Sequence, residues 1–257
     1  MDSIPPPFPS AERRVFANNP LFEVVWQASF PTILRVETEI PAAFQDAVRQ
    51  VFPRFERQMP PNMPHLPDEV AEALAGSLPR PTHIFEDDQE ENQIVLTSES
   101  IAVVCTNYVE WERLKSQILM ALNTLIDVYR PAYFDRIGLR YRNLIKRSKI
   151  GLDNEPWSEL LNPAVAGELT QPGWAKSVSG IQKSITIDWP ETEDVVRFQH
   201  GLVTAGDPEI SYILDFDYIA NKRTEVEDVD RVTERLHGYS GSAFQWAIAD
   251  KLKLALD

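Results

Sequence analysis

The chain has 257 residues, with 25 Lys and Arg against 39 Asp and Glu for a formal net charge of -14. With 43% hydrophobic and 25% charged residues it has the balance of a globular protein that buries a core, which excludes collagenous, mucin-like and wholly disordered classes. The acidic balance argues against charge-driven affinity for nucleic acid or anionic membrane, one cysteine cannot form an internal disulfide, and four scattered histidines make a poor zinc site.

The amino terminus reads Met1-Asp2-Ser3-Ile4-Pro5-Pro6-Pro7, with neither the basic region nor the apolar stretch of a signal peptide. No apolar run approaches the ~20 residues that cross a bilayer. The expectation is a cytoplasmic protein with no membrane partner. Residues 1–20 hold five of the 20 prolines, and Met59 to Pro81 holds six more around a short helix-like stretch, Asp68 to Leu74. Both segments read as connectors or surface covers, because proline cannot donate to a sheet ladder.

Phe22 to Phe30, rich in β-branched and aromatic residues, predicts a strand. Pro41-Ala42-Ala43 opens a helix that places Phe44, Val48, Val51 and Phe52 on one face. Thr82 to Phe85, Gln93 to Thr97 and Ile101 to Tyr108, separated by polar turns, predict an antiparallel meander in which Cys105 is a small buried hydrophobe. The period then changes: Trp111, Leu114, Ile118, Leu122, Leu125 and Tyr129 describe a long amphipathic helix ending before Pro131.

The second half repeats this order. Ile137 to Ile145 is a strand, Trp157 to Leu169 holds one or two short helices, and Val178 to Asp188, Val195 to Thr204 and Tyr212 to Ala220 are strands. From Asp228 the chain is helical to its end, with a break expected at Gly238 and Gly241, since each glycine costs a helix about 1 kcal/mol relative to alanine. A close approach of a neighbouring backbone or of a partner to these glycines is the alternative. The fold expected is a single α+β domain over residues 1–257: an antiparallel sheet of about eight strands with two long helices on one face. It divides into possible sub-repeats 21–130 and 137–257, each a strand-helix-three strands-helix unit.

Several segments together carry a resemblance: Glu23 to Pro31, Pro41 to Gln45, Leu96 to Trp111 (LTSESIAVVCTNYVEW), Ile137 to Asn143, and Leu236-His237 with Phe244. In these the chain resembles a sporadically distributed family of bacterial proteins known mainly by a serial family number. Many members have cysteine followed by Gln or Glu where this chain has Trp26-Gln27, a difference that touches packing. The resemblance implies accessory work, such as phage defence, a toxin-antitoxin pair or a mobile cassette, and supplies no catalytic residues.

The most unusual local feature is basic. Arg130, Arg136, Arg140, Arg142, Lys146, Arg147 and Lys149 lie between Tyr129 and Ile150, opposed only by Asp135. On a strand, Arg140 and Arg142 share a face, where two guanidinium forks suit a phosphate, a carboxylate cluster or a nucleic-acid backbone. The plainer reading pairs them with Asp215 and Asp217, which also share a strand face. Those two aspartates would also suit Mg²⁺, but no third carboxylate at a diagnostic spacing and no phosphate loop accompany them.

No histidine pair has zinc-ligand spacing, and Ser240 in Gly238-Tyr239-Ser240-Gly241 only loosely echoes a nucleophile elbow. The acidic runs Glu86 to Glu91 and Glu225 to Asp230 read as solvated turns and helix starts, with docking to a basic protein or nucleic-acid mimicry as the functional alternative.

The candidate binding residues are therefore Arg140, Arg142, Lys146, Arg147, Asp215 and Asp217, with no catalytic residue, metal or cofactor assigned. The leading expectation is a non-enzymatic accessory or regulatory protein that binds another protein. A small anionic ligand or nucleotide sensor using Arg140 and Arg142 comes second, and a metal-dependent nuclease using Asp215 and Asp217 third. The charge is polarised: residues 1–128 carry 9 basic and 19 acidic side chains, residues 129–257 carry 16 and 20. Nucleic acid is thus expected, if at all, only at a local basic site.

Overall fold

A computed structural model of the chain describes residues 7–12, 14–59, 80–189, 191–204 and 208–257. Among these residues the fold is α+β, with nine antiparallel strands and two long helices packed against them. The chain divides into two compact units: Met1–Val25, Arg136–Lys222 and Asp228–Asp257 form the larger, and Trp26–Asp135 with Arg223–Glu227 the smaller. Strand β1 (Leu21–Ser29) begins in the larger unit and ends in the smaller.

In the smaller unit β1 is followed by helices α1 (Leu34–Thr38) and α2 (Ala42–Val48), then strands β2 (Arg54–Gln58), β3 (Thr82–Glu86), β4 (Asn92–Leu96) and β5 (Ser100–Cys105), and helix α3 (Trp111–Tyr129). The strand order is β2-β3-β4-β5-β1. Helix α3 buries Trp111, Leu114, Ile118, Leu122 and Leu125, the face expected from their spacing, and stops at Arg130, which takes a left-handed conformation just before Pro131. Strand β2 brings the strands among the described residues to nine, where about eight were expected. Its residues Arg-Phe-Glu-Arg-Gln hide the strand signal, because only Phe55 is apolar and the pairing with β3 supplies the stability. The expected helix at Asp68 to Leu74 lies outside the described residues. Cys105 is buried in β5, and burial pushes its thiol pKa up.

In the larger unit come β6 (Arg136–Ile145), short helices α4 (Trp157–Leu160) and α5 (Pro163–Ala166), β7 (Gln182–Trp189), β8 (Asp194–Thr204), β9 (Ile210–Ala220), and helices α6 (Val229–Ala247) and α7 (Asp250–Leu256). The order is β1-β6-β9-β8-β7, so in each unit the first strand neighbours the last strand of the meander. One sheet face is aromatic: Phe198 stacks on Phe216 at 4.3 Å between centroids, flanked by Tyr141, Tyr212 and Tyr218, and α6 packs on β6 and β9. Phe8 and Ala11 lie over this core, Phe8 against Phe216 and Trp246 and the Ala11 amide donating to Ser242 Oγ.

Helix α6 runs unbroken through Gly238 and Gly241, contrary to the break expected there. The helix ends instead at Ile248, where the α4–α5 linker captures its carbonyls: the Asn162 amide donates to Ala247 O at 2.9 Å and Asn162 Nδ2 to Trp246 O at 3.0 Å. Among the described residues no backbone approaches the glycines closely either, for a Cβ built at Gly238 or Gly241 meets nothing within 4 Å. Gly238→Ala and Gly241→Ala are therefore expected to stabilise the fold by about 1 kcal/mol each. A thermal melt should show about 2–4 °C gained per substitution; a loss would mean that another surface approaches this bare helix face.

Candidate functional site

The face of β6, β9 and β8 opposite the aromatic core is built by strand parity. Residues directly opposite one another across an antiparallel ladder share a face, and the register stacks two polar rungs here. The first is Arg140–Asp217–Arg197, extended on β7 by Thr186; the second is Arg142–Asp215–Gln199, extended by Ser184. Period-two alternation sends Tyr141, Phe216 and Phe198 to the core, so the charged residues between them must face the other way.

The guanidinium groups reach diagonally. Arg140 grips Asp215 with both arms of its fork, Nε to Oδ1 at 2.8 Å and Nη2 to Oδ2 at 2.6 Å, and this bond holds its guanidinium pKa above the ordinary value. Arg142 donates to Glu23 at 2.8 Å, stands 3.6 Å from Asp215, and lies over the Phe22 ring at 4.9 Å. Arg136 reaches Asp217 at 3.3 Å by folding its guanidinium over Gly138, where an added Cβ would come within 2.8 Å of it. Glycine at 138 therefore opens the floor that Arg136 occupies.

Asp215 is buried and held by two arginines. Burial pushes the Asp217 carboxyl pKa upward, with Asp215 adding to the rise, while Arg136, Arg140 and Arg197 draw it back down. The four strand residues singled out from the sequence thus come together as one ion-pair ladder, the plainer of the two readings. Lys146 and Arg147 do not join it. Lys146 follows the end of β6, while Arg147 lies over Trp157 at 4.6 Å and donates to the Glu155 carbonyl at 2.7 Å.

Two consequences follow for the chemistry. A free anion at Arg140 or Arg142 would have to displace Asp215 or Glu23, and a cation at Asp215 would have to displace two guanidinium groups. Among the described residues, no group of three or more His, Cys, Asp or Glu side chains could hold a metal ion. Ser240 is no elbow nucleophile, for its hydroxyl donates at 2.8 Å to the His237 carbonyl inside α6. His83 is buried against the Val36 carbonyl, and burial lowers its pKa.

The open part of this face lies on β8 and β7. Arg197, Gln199, Ser184, Thr186 and Asp188 are exposed. Arg197 and Gln199 make no side-chain hydrogen bond or ion pair among the described residues, although Arg197 is near enough to Asp217 to shift its titration. Arg197, Gln199 and Glu23 escaped sequence reasoning. The alternation Val196, Phe198, His200 against Arg197, Gln199 was visible; what was missing was the strand order that sets β8 beside β9 and β1 beside β6. Among the described residues no helix is long and apolar enough to cross a membrane. Compared with protein-family models and with curated proteins, the chain matches none.

Proposed function

We propose that the protein is a non-enzymatic accessory or regulatory protein of the cytoplasm that binds another protein through the polar face of β7 and β8. The observation that carries this reading is the division of labour among the arginines. Arg136, Arg140 and Arg142 are committed to Asp217, Asp215 and Glu23, which stiffens the sheet face. Arg197 and Gln199 stand exposed beside them on a regular strand. A rigid row of amide, hydroxyl and guanidinium groups, with its neighbours already satisfied, suits a protein surface better than a small anion, which would compete with fixed carboxylates. The resemblance to the sporadically distributed bacterial family supports accessory work in a phage-defence, toxin-antitoxin or mobile-element setting.

Tagged full-length protein recovered from its native host should carry a stoichiometric protein partner. Arg197→Ala combined with Gln199→Ala should fold, since both side chains are exposed and no like charge is set against Asp217, and should lose at least about 30-fold in affinity, the scale of a hot-spot arginine. Recovery of no stoichiometric partner, or equal capture by both forms, would refute the reading.

A further inference from the structure

Within the larger unit β7 is an edge strand, and its hydrogen-bonding pattern with β8 can be read from one bond. The Leu202 amide donates to Ile181 O at 3.0 Å, and the register runs Gln182↔Gly201 through Trp189↔Asp194. Hydrogen-bonded pairs alternate along an antiparallel ladder, so Ile181, Lys183, Ile185 and Ile187 turn their backbone groups toward β8. Gln182, Ser184, Thr186 and Asp188 turn theirs outward. Among the described residues nothing pairs with that outer row.

Edge strands are normally blunted by charge, proline, a bulge or extreme shortness. In the smaller unit β2 follows the rule, with Arg54, Glu56 and Arg57 among its five residues. Strand β7 is blunted far less: Ser184-Ile185-Thr186-Ile187 is uncharged and largely β-branched, Ile185 is 42% exposed, Lys183 is tied to Glu168, and Asp188 alone is charged in the outward-turned row.

We infer that β7 is the contact strand of a homodimer, pairing antiparallel with β7 of a second copy about a two-fold axis through Thr186. A two-fold axis perpendicular to the sheet keeps each face continuous, so only residues of like parity meet, and the outward-turned Thr186 pair supplies the central hydrogen bonds. In this register Ile185 meets Ile187 of the other copy on the apolar face, covering an exposed side chain twice over. On the polar face Ser184 meets Asp188, and Thr186 meets Thr186. No like charges are opposed within the strand, and the hairpin tip that carries exposed Glu191 and Glu193 runs past the end of the other strand that bears Lys183. This self-complementarity selects a second copy as the occupant, and the interface is isologous and closed. The long-range repulsion of two chains of net charge -14 is screened at physiological ionic strength.

Light scattering on size-exclusion-purified full chain, at tens of micromolar and physiological ionic strength, should report twice the 29.3 kDa chain mass. Thr186→Pro removes an outward N–H without touching the β8 ladder, as an edge position allows, and should give a folded monomer by circular dichroism. Thr186→Cys in a Cys105→Ser background should cross-link into a covalent dimer on mild oxidation, because a hydrogen-bonded antiparallel pair sets the two Cα atoms about 5.5 Å apart, within disulfide range. The cross-link decides the matter if the proline variant fails to fold. A monomeric wild type, a folded Thr186→Pro dimer, or a Thr186→Cys protein that does not cross-link would overturn the inference.

Discussion

Replacing Arg235 by alanine is expected to cost about 3–5 kcal/mol of folding stability, the scale of breaking a buried ion pair. Asp194 is 1% exposed at the start of β8 and is gripped by Arg235 from α6, Nε to Oδ2 at 2.7 Å and Nη2 to Oδ1 at 2.9 Å; Tyr239 donates to the same carboxylate at 3.0 Å. Removing the guanidinium leaves a desolvated carboxylate with one hydroxyl donor. Asp194→Ala should cost less, because the Arg235 side chain, 22% exposed, can turn toward water. The double variant should cost less than the two single changes together, since neither charge is then stranded. Urea denaturation followed by circular dichroism measures all three. A loss below about 1 kcal/mol for Arg235→Ala would show that this bond does not anchor α6 to the sheet.

Acid is expected to weaken the fold through His200. The imidazole is buried on β8, stacked on Phe198 at 4.6 Å between centroids, with Nδ1 2.8 Å from the Tyr212 hydroxyl. Burial is the main reason its pKa falls to about 4; the Lys183 charge lowers it further, and Glu168 partly opposes. Burial also pushes the Tyr212 phenol upward, so that group stays neutral throughout. The unfolded chain takes up a proton near pH 6.5 and the folded one only near 4. The contribution is therefore complete above pH 6.5, falls as pH drops between those values, and is lost below the lower one. The drop is on the order of 3 kcal/mol, since each pH unit separating the two pKa values is worth about 1.4 kcal/mol. Carboxylates titrate over the same range, so the comparison is with His200→Gln, whose stability should fall more shallowly from neutral to acid pH. Parallel curves for the two proteins would exclude His200 as the source.

How far the sequence revealed this architecture depended on whether the signal was local. Helix α3 was legible because the spacing of Trp111 to Leu125 is an intrinsic property of one segment, and so were the strands around Ile94, Val103 and Phe216. Strand β2 was not, because Arg54 to Gln58 becomes a strand only by pairing with β3. Helix α6 continues through Gly238 and Gly241 because Leu236 and Ala243 on either side are buried, and that tertiary packing outweighs the propensity of two exposed glycines. The site divides in the same way. That Arg140 and Arg142 share a face of their strand, and Asp215 and Asp217 a face of theirs, followed from parity alone. That Arg140 takes Asp215 diagonally while Arg136 folds over Gly138 to take Asp217, and that Glu23 completes Arg142, required the adjacency of strands more than seventy residues apart in the chain.

The open polar face of β7 and β8, as the surface that meets another protein, is the central claim. Its most direct test is a hydrogen-exchange and cross-linking footprint of the complex recovered from the native host, compared with the free protein. New protection is expected over residues 182–204, with cross-links or labelling changes at Arg197 and the amides of β2 unaffected. A footprint that spares β8 and falls on β2 or on the exposed face of α3 would contradict it.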